Sequence, residues 1–262
     1  MKDILSEIIA NKRLEVTRQK EQTPYSKLEK LVGECKLPIY PLKKALLESP
    51  PGIIAEFKRR SPSKGWINQS AEAAIVTKDY ETAGASALSV LTDEKYFGGT
   101  LADLQAATRN VQIPAMRKEF IVDEYQILQA RLSGASAILL IAAALTKAEN
   151  LRFTRFAQNL GLDVLLELHD EREVEYVASE NDIVGINNRN LGTFVTDIEK
   201  SYNMIDLLPK EAILVSESGI SDPKTVRELR EAGYRGFLIG ENFMRTDHPG
   251  ESLKLFIEEV TR

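Results

Sequence analysis

Ile53-Ile54-Ala55-Glu56-Phe57-Lys58 is a short apolar run that breaks into a carboxylate and an ammonium. The same pattern returns along the chain. Ala87–Leu91 precedes Thr92-Asp93-Glu94, Ile113-Pro114-Ala115-Met116 precedes Arg117-Lys118, and Ala137–Ile141 is apolar throughout. Val164-Leu165-Leu166 runs into Glu167, and Ile183-Val184-Gly185-Ile186 into Asn187-Asn188-Arg189. Ile213-Leu214-Val215 ends in Ser216-Glu217-Ser218, and Phe237-Leu238-Ile239 in Gly240-Glu241. Eight runs rich in leucine and β-branched residues, each followed by enough chain for a helix, predict an α/β fold: a single (β/α)8 (TIM) barrel. Active sites of such barrels gather at the carboxyl ends of the strands, where these lysines and glutamates fall.

Helix signals fill the gaps. Residues 71–85 are alanine-rich and contain Gly84, residues 100–110 follow the paired Gly98-Gly99, and residues 123–134 open on a capping aspartate and end in glycine. Thr146 and Glu149 have the spacing of a capping box. Asp222-Pro223 starts another helix that Gly233 ends. Ahead of the first strand, residues 1–21 carry Ile4, Leu5, Ile8, Ile9 and Leu14 at helical spacing. Residues 24–48 read as two shorter helical pieces interrupted by Gly33, Pro38 and Pro41, before Pro50-Pro51-Gly52 launches the strand. The expected division is a helical extension, residues 1–48, packed on a barrel catalytic domain, residues 49–262. The extension reads as packing that plugs one barrel end; a lid over a site is the alternative.

The 262 residues suit one barrel of this type, and 43% apolar with 28% charged residues is ordinary globular composition. A net charge of −5 argues against nucleic acid or an anionic membrane as partner, while leaving room for a local site for a small anion. The lone Cys35 excludes an intrachain disulfide and a cysteine cluster for zinc. The opening Met1-Lys2-Asp3-Ile4-Leu5-Ser6-Glu7 lacks the apolar core of a signal peptide, so a cytoplasmic location is expected.

The strand ends carry the chemistry. Glu56 and Lys58 lie two residues apart, on one face of a strand. Lys58-Arg59-Arg60 also reads as a solvated basic run with Glu56 as its ion-pair partner. Lys118, flanked by Arg117 and Glu119, has the same two readings. Glu167, set between Leu166 and Leu168, would be costly to bury unless paired or functional. His169 reads as a surface or helix-start residue, and two histidines argue against a histidine-rich metal site. Ser218-Gly219 and Gly240-Glu241 follow the last two strands, where barrels often bind phosphate through backbone N–H groups. With Ser61-Pro62-Ser63-Lys64-Gly65 after the first strand, they point to a phosphorylated small molecule.

Together these residues resemble the indole-3-glycerol phosphate synthase family. The resemblance runs from the segment spanning Ile54 to Gly65 through Leu88-Ser89-Val90-Leu91-Thr92-Asp93, Phe97-Gly98-Gly99 and Arg117-Lys118-Glu119-Phe120-Ile121. It continues in Leu165-Leu166-Glu167-Leu168-His169, Gly185-Ile186-Asn187-Asn188-Arg189-Asn190-Leu191, Ser216-Glu217-Ser218-Gly219-Ile220 and Leu238-Ile239-Gly240-Glu241. The helix at residues 8–20, with its Asn11-Lys12-Arg13-Leu14-Glu15-Val16 core, is similar to the family's extra N-terminal helix. The implied reaction closes the ring of 1-(2-carboxyphenylamino)-1-deoxyribulose 5-phosphate, releasing CO2 and water, a step of tryptophan biosynthesis that uses no cofactor and no metal.

By the same resemblance Lys118 is the general acid at the carbonyl, and Glu56, Lys58 and Glu167 share the remaining proton transfers. Asn187, Arg189, Glu217 and Ser218 surround the substrate, with Asn187 counted among the catalytic residues. Ser61, Gly219, Gly240 and the Glu241 backbone cradle the phosphate. Phe120 and the N-terminal helix shelter the aromatic ring. Glu119 stands where many relatives have aspartate, which puts rate rather than reaction in doubt. Another phosphate-binding barrel enzyme, such as phosphoribosylanthranilate isomerase, would need a cysteine–aspartate pair, and Cys35 lies ahead of the first strand. A non-catalytic barrel for a phosphorylated ligand would need the glycine turns but not Lys118 with Glu167.

Overall fold

The computed structural model describes residues 4–190 and 192–262; Met1, Lys2, Asp3 and Leu191 fall outside the described residues. Eight parallel strands close into a barrel: β1 (Ile53–Phe57), β2 (Ala87–Leu91), β3 (Ala115–Lys118), β4 (Ala137–Ile141), β5 (Asp163–Leu168), β6 (Ile183–Asn187), β7 (Ile213–Glu217) and β8 (Gly236–Ile239). Ile53 pairs with Phe237 to join the first strand to the last. The strands are buried on both sides because side chains fill the barrel inside and helices cover it outside. This is why they read as continuous apolar runs and not as alternating ones.

The capping chemistry forms as the sequence spells it. Thr146 and Glu149 make a reciprocal capping box, Asp123 caps the helix Glu124–Leu132, and Asp222 caps the helix Pro223–Ala232. Thr100 and Asp103 form a second reciprocal box, ahead of the helix Leu101–Asn110. The alternation weakens once. Between β5 and β6 there is only a 3-10 turn, Glu171–Tyr176, with no buried residue. Its Glu171-Arg172-Glu173-Val174-Glu175-Tyr176 composition lays only Val174 and Tyr176, partly buried, on the barrel, too little for a helical stripe. After β1 the chain makes a small hairpin, Arg60–Ser61 against Gly65–Trp66.

The extension does more than plug one end. It forms α1 (Ile4–Gln22), α2 (Tyr25–Glu34) and α3 (Leu42–Glu48). The segment around α3 lies under the amino ends of the strands. Tyr40 N–H donates to Ser136 Oγ (3.0 Å), Lys43 N–H to Asp163 Oδ2 (2.9 Å), and Leu42 and Leu46 are fully enclosed. In α2, Leu28 packs with Tyr125 and Leu128 on the barrel's flank. Helix α1 joins that cluster through Val16 and reaches the opposite, carboxyl face, where Leu5 and Ile8 are buried. The extension thus caps one end and walls the other.

Candidate active site

The carboxyl ends of the strands surround a cavity of about 290 Å³. Each candidate named from the sequence lines it: Glu56, Lys58, Ser61, Lys118, Phe120, Glu167, Asn187, Arg189, Glu217, Ser218, Gly219, Gly240 and Glu241. Cys35 is not among the lining residues.

At the floor, Lys118 projects from the end of β3 between two carboxylates. Its Nζ lies 3.0 Å from Glu167 Oε2 on β5 and 2.7 Å from Glu217 Oε2 on β7. Burial pulls the ammonium pKa down, but Glu167 and Glu217 outweigh it and raise the group above its usual range, so Lys118 is charged. Burial also opposes ionisation of Glu167, yet Lys118 and His169 hold it well below the ordinary carboxylate range. Glu217 goes the other way. Burial, reinforced by the nearby Glu167 charge, lifts it to about 8 against the pull of Lys118. Lys118 is the nearer to Glu217, but Glu167 has a second cation, and that is why the two carboxyls are pushed in opposite directions.

The second cation is His169. The residue is buried, with Nε2 3.1 Å from Glu167 Oε1, so the expected surface placement is wrong. The 3-10 turn after β5 is the cause, because it folds Glu173 back to accept the His169 backbone N–H at 2.6 Å and closes over the ring. On the neighbouring wall Glu56 Oε1 accepts from Lys58 Nζ at 2.6 Å. The basic run beyond it is partly tied down as well, with Arg59 paired to Asp103.

The upper rim is built from turns. Ser218 and Gly219 both have left-handed backbone (φ 66° and 79°), a conformation that costs a non-glycine residue roughly 1–2 kcal/mol. Asn188, fully buried, stabilises this turn by donating from Nδ2 to the Ser218 carbonyl and to Ser216 Oγ, both at 3.1 Å. Gly240 is required at its position, since a Cβ there would come 2.5 Å from Glu56 Oε1. Glu241 turns its carboxylate toward Arg189 (3.6 Å) and Lys64 (3.8 Å), and Arg189 also donates to Ser63 Oγ (2.9 Å). The rim therefore offers hydroxyl and backbone donors with an arginine alongside, suited to an oxyanion.

The remaining wall is apolar: Ile4, Leu5 and Ile8 of α1, with Phe97 stacked obliquely on Phe120 (centroids 5.9 Å apart). Sequence reasoning missed Asn188, Phe97 and the role of His169. The stripe Ile4, Leu5, Ile8 was visible in the sequence, and the resemblance alone, not the spacing, assigned its helix to the aromatic ring. Lys12 was likewise hidden. It is buried in α1, with Nζ 2.9 Å from Asp93 Oδ2 and 3.2 Å from Glu119 Oε1, and so ties that helix to the segment just beyond Lys118. Glu119 is thus a buried structural partner of Lys12 and of Arg117 (3.6 Å). Among the described residues no acidic, histidine or cysteine group has a metal-holding arrangement, and no helix is long and apolar enough to cross a membrane.

Fold and site together define a (β/α)8 barrel with a lysine–carboxylate centre under a rim of hydroxyl and backbone donors. A sequence model of indole-3-glycerol phosphate synthases matches residues 5–256. The indole-3-glycerol phosphate synthase of Bacteroides thetaiotaomicron is 55% identical over 260 residues, covering 99% of this chain and all of its own. That of Burkholderia vietnamiensis is 44% identical, covering 97% and 98%. The chain belongs to the indole-3-glycerol phosphate synthase family. Among solved structures, a chain of the tryptophan synthase α2β2 complex of Pyrococcus furiosus shares the fold alone, with 14% identity and a TM-score of 0.58 over 80% of this chain and 98% of its own.

Proposed function

We propose that this protein is a cytoplasmic carbon–carbon lyase of tryptophan biosynthesis that converts 1-(2-carboxyphenylamino)-1-deoxyribulose 5-phosphate to indole-3-glycerol phosphate, CO2 and water. The observation that carries the reading is the Lys118 ammonium, buried between Glu167 and Glu217 and facing a cavity with an oxyanion rim on one side and an apolar wall on the other. The phosphate is assigned to Ser61, Gly219, Gly240 and the Glu241 N–H, with Arg189 supplying charge. The aromatic ring is assigned to Phe120, Phe97 and the α1 isoleucines, which exclude water from it.

The ring carbon bearing the carboxylate attacks the C2 carbonyl, and the oxygen gains electron density as the carbon–carbon bond forms. Lys118 first stabilises that oxygen and then protonates it. A raised lysine pKa is no obstacle, because an alkoxide is far more basic than an amine. Expulsion of CO2 returns the bonding pair to the ring, so no oxidant or reductant enters the balance. Transfer of the Lys118 proton also removes one of the charges that suppress Glu167 basicity. Glu167 then takes a proton from substrate C1, while Lys58, oriented by Glu56, gives one to the departing C2 hydroxyl, which leaves the aromatic indole with its N–H. Asn187 and Ser218 hold the sugar hydroxyls between the two centres.

The test follows indole emission from purified protein mixed with that substrate. Turnover in the wild type with kcat lowered by about 10²-fold or more in Lys118→Ala is expected, with unchanged circular dichroism. Near-normal turnover in the variant removes Lys118 from the mechanism. Tight binding without turnover in the wild type would leave a non-catalytic barrel.

A further inference from the structure

Glu167 is gripped from two sides. Lys118 Nζ lies 3.0 Å from Oε2, and His169 Nε2 lies 3.1 Å from Oε1, so each carboxylate oxygen faces its own cation. The two cations are not equivalent. Lys118 lines the cavity and meets the substrate in the reaction proposed above; His169 does not line it and sits behind Glu167 in the barrel wall. Lys118 gives up its proton during that reaction, and only the grip of His169 then persists. On its far edge the imidazole has Nδ1 3.7 Å from Glu173 Oε2, and the same carboxylate holds the His169 backbone N–H. The ring therefore lies between a carboxylate of the 3-10 turn and the carboxylate of β5, within ion-pair distance of both, with neither ring nitrogen aligned for a hydrogen bond.

We propose that His169 is a positioning residue for Glu167: as an imidazolium it fixes the orientation of the carboxylate and keeps it ionised through the cycle, including the interval in which Lys118 is neutral. This rests on the functional reading given above, in which Glu167 is the base. The surroundings agree with a charged ring. Burial disfavours the imidazolium, but Glu167 and Glu173 overcome it and push the pKa up to about 9. The other charged groups nearby are Lys118 beyond Glu167, and Asp170 and Lys200, which interact with each other and, for Lys200, with Glu173. At neutral pH the clamp is set. Above about pH 9 it is released.

Two measurements test this. The first is the pH profile of kcat in the wild type, His169→Asn and His169→Leu. Because the imidazole touches no substrate, KM should be nearly unchanged. His169→Leu should lower kcat on the order of 10-fold, less than the roughly 10²–10⁴-fold of losing an acid–base group itself. His169→Asn, which can donate a hydrogen bond but cannot titrate, should recover part of that loss and lack the alkaline limb the wild type shows near pH 9. A wild-type profile retained in His169→Asn, or a fall confined to KM, overturns the assignment.

The second measurement is independent of activity and of variant folding: NMR titration of the wild-type imidazoles, only two in the chain, with His248→Gln to assign them. A His169 midpoint well above 6.5 that drops in Glu167→Gln is expected; an ordinary midpoint overturns the clamp. Wild-type protein that fails to turn over substrate at any pH, while its His169 still titrates high, would instead sink the functional reading and the positioning role with it.

Discussion

Glu217 shows how one side chain sets a pH dependence for the whole protein. Its folded-state pKa is raised to about 8, against about 4.3 for an exposed glutamate. Across that window the folded protein retains a proton that the unfolded chain has released, so stability falls as pH rises from about 5 to 8 and is greatest on the acid side. Glu167 contributes nothing to this slope, since its pKa is depressed and its effect lies below the ordinary carboxylate range. His169 adds a loss in the same direction, but displaced upward, between about 6.5 and 9. Glu217→Gln should therefore flatten the decline of Tm between about pH 5 and 6, below the window of His169, and leave only the His169 part of the decline above it. A Tm profile identical to wild type would show that Glu217 is ionised throughout. No sequence pattern reveals such a proton. Glu167 and Glu217 both follow apolar runs, and only the placement of His169 behind one of them distinguishes the two.

Among the elements, α1 is the one whose sequence least betrays how it is anchored. The apolar positions of this helix announce an amphipathic surface, but the buried face also carries Lys12, a residue normally read as solvent-facing. Lys12 enters a pocket of Asp93 and Glu119, carboxylates far away in sequence, so its burial is legible only in three dimensions. Removing one partner of a buried ion group strands the others, which typically costs about 3–5 kcal/mol. Lys12→Met should lower the urea midpoint accordingly. It should also raise KM more than it lowers kcat, because α1 carries the Ile4, Leu5 and Ile8 wall. A unchanged midpoint would mean that α1 is held by its apolar contacts alone. The strands were legible for the opposite reason: their burial on both faces needs only local runs such as Ala137–Ile141. The turn Glu171–Tyr176 was not, since a helix is expected there from the rhythm of the barrel and fails for lack of an apolar stripe.

For the molecule as a whole, the two ends of the barrel divide stability from chemistry, and two glycines measure the division. Gly52 precedes β1 where the barrel closes on β8. Its φ is +60°, and a Cβ would lie 2.2 Å from the Arg235 carbonyl oxygen, a backbone atom that cannot swing aside. Gly240 follows β8 at the other end, where a Cβ would lie 2.5 Å from Glu56 Oε1, which can move, and 2.8 Å from Glu56 Cβ, which moves only with β1. Gly52→Ala should thus destabilise by about 2–4 kcal/mol through left-handed strain and forced separation of closing strands, with specific activity of the folded fraction nearly intact. Gly240→Ala should do the reverse. It pushes Glu56 away from Lys58 and narrows the oxyanion rim, so activity falls by an order of magnitude or more while the unfolding midpoint moves less than in Gly52→Ala. Urea unfolding and indole emission on both variants decide it. Loss of activity in folded Gly52→Ala would show that strain at the closure travels the length of β1 to Glu56, and the separation of the two ends would have to be abandoned.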